Sequence, residues 1–128
     1  MAKDIALFNI LTNNLMSVAR EMSADFLRSA YSVVIREAAD CSTFRADAKG
    51  RILAQPQDQP LHMNSVSRAL TGALSKIDAT NLTEDDAIIL NDPYSGGQHL
   101  SDIYIFSPIV HDGKLVAFAG TTGHHADL

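Results

Sequence analysis

Two apolar runs of strand length, IYIFSPIV and KLVAFAG, flank an Asp112-Gly113 dipeptide, and this pairing narrows the possible folds of the chain more than any other feature. Asp-Gly readily takes positive φ at both central positions of a two-residue turn, the geometry whose twist matches two antiparallel strands. A hairpin of this kind fixes which residues meet. With His111 facing Lys114, counting outward places Asp102 opposite Gly123 and brings His99 level with Ala126. The open end of the hairpin then gathers His99, Asp102, His124 and His125.

The rest of the chain supplies helices and a second hairpin. From Asp4 to Met22 the residues Phe8, Leu11, Leu15, Val18 and Met22 recur at intervals of three and four, which predicts a helix with one buried face. Ser23 is placed to cap a second helix through about Ile35, because Phe26, Leu27, Ala30, Val33 and Val34 continue the period. DCSTFRADAKGRILAQ, from Asp40 to Gln55, reads as a hairpin turning at Asp47 and Gly50. Pro56 and Pro60 bracket a loop, His62 to Ile77 predicts a third helix, and AIIL at Ala87 to Leu90 a short strand. The expected class is α+β: N-terminal amphipathic helices packed on antiparallel β-hairpins, with residues 1–39 helical and 40–128 carrying the hairpins and one helix.

A length of 128 residues with 46% hydrophobic residues fits one core. The net charge of -5 gives no basic excess to neutralise phosphates, so nucleic acid and anionic membrane are excluded as expected partners. No long uncharged run or cationic leader appears, and the single cysteine, Cys41, rules out an internal disulfide. A cytoplasmic location is expected, and Cys41 reads as a small buried hydrophobe.

The stretch NDPYSGGQHLSD concentrates turn formers and metal-capable groups at the hairpin mouth. His99 and Asp102 offer an imidazole and a carboxylate, and the second strand brings another imidazole. His124 and His125 point to opposite faces in extended backbone, so one of them reaches the same ion, and His124 is favoured. A nitrogen and carboxylate set without thiolate suits Zn, Mn or Fe. Against this, a lone histidine is more often a hydrogen-bond partner or a surface residue, and NDPYSGG also reads as a tight loop. Gly96-Gly97 is read as a turn rather than an anion cradle. By pattern Asp40 ends the helix before it rather than ligating, and His62 begins a helix.

Three segments in order, IREAADCSTFRADAKGRILAQ, NDPYSGGQHLSD and the terminal GHHADL, resemble the hydantoinase B family. That family includes subunits or domains of N-methylhydantoinase, 5-oxoprolinase, acetone carboxylase and caprolactamase. The resemblance implies a hetero-oligomeric, ATP-dependent enzyme. ATP and Mg are held by a hydantoinase A-type subunit, which phosphorylates a carbonyl or enol oxygen of a small cyclic amide, while the hydantoinase B component holds a divalent metal. It implies the ligand set Asp40, His99, Asp102 and His124, with His99 and Asp102 as the catalytic pair and Asp127 or His125 orienting the ligands. It also favours His124 over His125 and promotes Asp40. A ketone carboxylase component and a metal-free scaffold piece are the alternatives. Two departures stand out. Position 41 is Cys where the family often has an aromatic residue, and family members are several times longer, so the chain is expected to be an N-terminal piece of one.

Overall fold

The computed structural model describes residues 2–57 and 62–126. A single helix, α1 (Ala2–Ser29), runs where two were expected. The interval contains neither Gly nor Pro, and an isolated Ser lowers helix propensity by only a fraction of a kcal/mol, about 0.5. Ser23 is therefore an interior residue, buried against the sheet, and caps nothing. The chain breaks at 30–32, resumes as α2 (Val33–Ala38) and stops at Ala39, whose φ of 52° is left-handed.

Two hairpins follow. β1 (Cys41–Asp47) pairs with β2 (Ile52–Ala54) across the DAKG turn, as the sequence predicts. α3 (Ser65–Leu74) is shorter than the predicted third helix, and His62 lies before it. β3 (Ile88–Leu90) pairs with β4 (Asp102–His111), which turns into β5 (Lys114–His124). Asp112 and Gly113 have φ of 50° and 70°, the positive pair that the dipeptide predicts. Together the strands form one antiparallel sheet of order β2-β1-β5-β4-β3.

The hairpin register differs from a plain ladder. His111 does face Lys114, but the pairing shifts between Ile109 and Val110, so Ile109 meets Ala117 and Val110 meets Leu115. Val116 is the extra residue of a bulge. The cause is legible in KLVAFAG: Leu115 and Phe118 both pack on the core, which the strict alternation of a strand forbids. The slip carries through to the open end, where Asp102 faces His124 instead of Gly123.

Helices lie on both faces of the sheet, α3 over one and α1 over the β1–β2 side of the other, on which Ile89 of β3 and Ile105 of β4 stay exposed. Phe44, Ala46, Tyr104, Phe106 and Phe118 form the main core with Val66, Ala69, Leu70 and Ala73 of α3. On the other face α1 lies close to β1, where the Thr43 hydroxyl donates to the Ala19 carbonyl at 2.7 Å. Small residues at the contact, Ala19 and Ser23, allow that approach. The α+β class is as expected, with helices on both sides of the sheet. Among the described residues no helix is long and apolar enough to cross a membrane.

Candidate metal centre

Three neighbouring strands present their ends at one edge of the fold. β5 lies between β1 and β4, so His124 at its end has Asp102 of β4 on one side and Asp40, just before β1, on the other. The backbone fixes the alignment: the His124 N–H donates to the Asp40 carbonyl at 2.9 Å. Alternation along the strands puts Asp40, Asp102 and His124 on the face of Phe44, Tyr104 and Phe118, which is the α3 face.

Asp102 is the pivot. It is fully buried, and its two oxygens are shared out: Oδ1 lies 2.7 Å from His124 Nδ1, and Oδ2 lies 3.0 Å from His99 Nδ1 and accepts the His99 backbone N–H at 3.0 Å. The rings of His99 and His124 stand edge to face, centroids 5.6 Å apart. One ligand atom from each of His99, Asp102 and His124 falls within 4.8 Å of the others. Two imidazoles and a carboxylate at that spacing fit a divalent transition ion or zinc, and no thiolate enters the set. His99, with its side chain 65% exposed, gives the group an open side, while Asp102 closes the bottom.

The loop that delivers His99 is held from within and from α3. Asp92 accepts the Tyr94 N–H at 3.0 Å, and the Asn91 side-chain amide donates to the Leu100 carbonyl at 3.2 Å. Lys76 contacts the Ser95 hydroxyl and lies 3.5 Å from the Asp92 carboxylate. Gly72 of α3 meets this loop so closely that a Cβ there would sit 1.9 Å from the Ser95 carbonyl oxygen.

The other expected residues are placed as follows. Asp40 flanks the tight trio; its Oδ1 lies 3.5 Å from His62 Nε2. His125 lines an apolar recess with Phe26, Tyr31 and Ile35 on the opposite face of the sheet, and among the described residues nothing ties its ring to the trio. Asp127 lies outside the described residues. Cys41 is buried. His62 is the residue that sequence reasoning passed over. It is buried on the α3 side, and burial holds its imidazole below the usual range, opposed by the nearby Asp102 and Asp40 carboxylates and reinforced by His124 and His99. No local spacing signals this, because tertiary packing alone brings His62 to the strand ends.

The model of the family described as Hydantoinase B/oxoprolinase matches residues 4–128. The chain belongs to that family. It is 33% identical over 127 residues to 5-oxoprolinase 1 of Arabidopsis thaliana, covering 98% of this chain and 10% of the relative. It is 30% identical over 127 residues to 5-oxoprolinase of Dictyostelium discoideum, again covering 98% of this chain and 10% of the relative. The crystal structure of ATP-dependent caprolactamase from Pseudomonas jessenii superposes on 96% of this chain and 21% of its own with a TM-score of 0.81 at 23% identity. Nucleotide-free acetone carboxylase gives 0.83 at 20% identity, over 96% of this chain and 16% of its own. These two likenesses show a shared fold. The chain thus spans about a tenth of the length of the 5-oxoprolinases it matches, and the His99, Asp102 and His124 trio of this hydantoinase B family member lies inside the matched region.

Proposed function

We propose that this chain is the metal-holding part of an ATP-dependent hydrolase of small cyclic amides, acting with a hydantoinase A-type subunit that phosphorylates the substrate oxygen. The carrying observation is the His99, Asp102 and His124 trio within a chain of the hydantoinase B family. Relatives named as 5-oxoprolinase and as a component of caprolactamase support cyclic amides as the substrate class.

His99, Asp102 and His124 would hold the ion, Zn, Mn or Fe, with Asp40 beside them. Such an ion is a Lewis acid toward a carbonyl or phosphoryl oxygen and supplies a nucleophile near neutral pH. The chain's own residues account for the placement. Asp102 lies against the Nδ1 atoms of both imidazoles, at 2.7 Å for His124 and 3.0 Å for His99, which keeps the three donors converged. Exposed His99 leaves the site open for a substrate whose carbonyl, once phosphorylated by the partner, carries a more electrophilic carbon.

The test is the intact complex, wild type beside His99→Ala. The expected result is a stoichiometric transition metal in the wild type, lost in the variant together with lactam hydrolysis, while the partner still binds ATP. Undiminished hydrolysis in the variant overturns the role assigned to His99. Bicarbonate-dependent turnover of a ketone identifies a carboxylase instead. Full activity without metal reduces the chain to a scaffold that docks the ATP-handling partner.

A further inference from the structure

We infer that His62 is a positioning residue of this centre, holding the Asp40 carboxylate beside the trio through Nε2 so that Asp40 completes a four-residue donor set. The inference rests on the metal reading above. Four observations converge on it. Asp40 and Asp102 flank His124 on adjacent strands and share the α3 face, so Asp40 already stands at the centre's border. His62 is buried on that same face, with Nε2 3.5 Å from Asp40 Oδ1. The Asp40 side chain is part exposed, 27%, so packing alone does not hold its carboxylate. Finally, His62 Nδ1 is buried with no hydrogen-bond partner among the described residues.

The last point assigns the tautomer. A neutral imidazole has one N–H, and a bare lone pair is the form expected of the nitrogen that has no acceptor. Nδ1 is therefore the lone pair, which leaves the hydrogen on Nε2, the nitrogen 3.5 Å from Asp40 Oδ1. Ligating carboxylates are commonly fixed by such outer hydrogen bonds, and loss of one costs about 10- to 100-fold in metal affinity or activity. The backbone of His62 is itself held: the Ser65 hydroxyl donates to its carbonyl at 3.2 Å, and Tyr104 of β4 donates its hydroxyl to Ser65 at 3.1 Å. That chain of contacts anchors His62 to the strand that carries Asp102. His62 is thus fixed relative to the trio, whereas Asp40 has a side chain that needs fixing.

The experiment is Mn(II) titration of the metal-stripped, full-length complex by calorimetry, with melting temperatures of the metal-free forms. His62→Ala is expected to weaken Mn(II) binding about 10- to 100-fold. His62→Gln restores an N–H near the position of Nε2 and is expected to recover most of the affinity. The Asp40→Ala, His62→Ala double variant is expected to match Asp40→Ala alone, since His62 acts through Asp40. His62→Leu, which keeps the buried volume, replaces alanine if alanine lowers the melting temperature. Wild-type affinity in both His62→Ala and His62→Leu overturns the inference, as do additive losses in the double variant or a glutamine as impaired as alanine. Binding lost in His99→Ala but kept in the His62 variants defeats the role of His62 and leaves the metal reading standing. No binding in the wild type defeats both.

Discussion

At the scale of single residues, the site turns on one buried carboxylate. Asp102 accepts three hydrogen bonds or ring contacts from two histidines, so removing it strips both imidazoles of their common acceptor. Asp102→Ala is expected to lose the metal binding proposed for this site and to destabilise the fold by about 1–3 kcal/mol, the scale of the hydrogen bonds it removes. Elemental analysis and thermal unfolding check the two effects separately. Asp47 offers a contrasting carboxylate. Burial raises its pKa, but the hydrogen bonds from the Arg51 amide and guanidinium and from the Lys49 amide outweigh this and leave it below the usual carboxylate range. A carboxyl depressed in the fold stabilises it above the unfolded value, about 3.9, and that contribution fades as pH falls through the lower folded value. Asp47→Asn should therefore destabilise the chain at pH 6, and the gap to wild type should narrow by pH 3 in urea unfolding; a gap that widens in acid contradicts the assignment. Asp47 was readable from DAKG because its partners are its own neighbours in sequence. His62 was not, because every group it faces comes from another element.

Among the elements, the one that most needed the structure is the bulge at Val116. Asp112-Gly113 announces the hairpin and its turn, yet the register at the far end depends on one extra residue whose signal is only the spacing of Leu115 and Phe118. Without it His124 would not face Asp102. The interior position of Ser23 shows the converse, a cap-forming residue overridden because its neighbours favour helix and its small side chain suits the contact with the sheet. Packing between elements also sets the loop carrying His99. A methyl at Gly72 would meet the Ser95 carbonyl oxygen at 1.9 Å; that oxygen is backbone and a Cβ is fixed to the backbone of α3, so one element must move. Gly72→Ala is expected to cost about 1–3 kcal/mol, as overpacking does, and to weaken metal binding because the loop shifts. Mn(II) titration beside a melting curve checks this; a stable variant with unchanged affinity would mean that the loop is placed independently of α3.

For the molecule as a whole, the described residues bury the α3 face of the sheet but leave half of one helix uncovered. Ala19 and Ser23 bury the second half of α1, whereas Ile5, Leu7, Phe8, Ile10 and Leu11 are each more than half exposed. These residues extend beyond a single stripe, and a helix apolar over much of its circumference is one that is normally buried. Burying a large apolar side chain contributes about 1.5–3 kcal/mol, so five of them constitute a strong drive to associate. Relatives many times longer than this chain have the surface to cover such a helix. The isolated chain is accordingly expected to self-associate with rising concentration in sedimentation velocity. Phe8→Glu with Leu11→Glu should return it to a monomer with little change in melting temperature, because both side chains are exposed in this fold. In the full-length protein the same pair should lower the melting temperature. An isolated wild-type chain that stays monomeric at high concentration would show that the exposed apolar residues do not drive association, and a full-length variant as stable as wild type would show that they are not buried there.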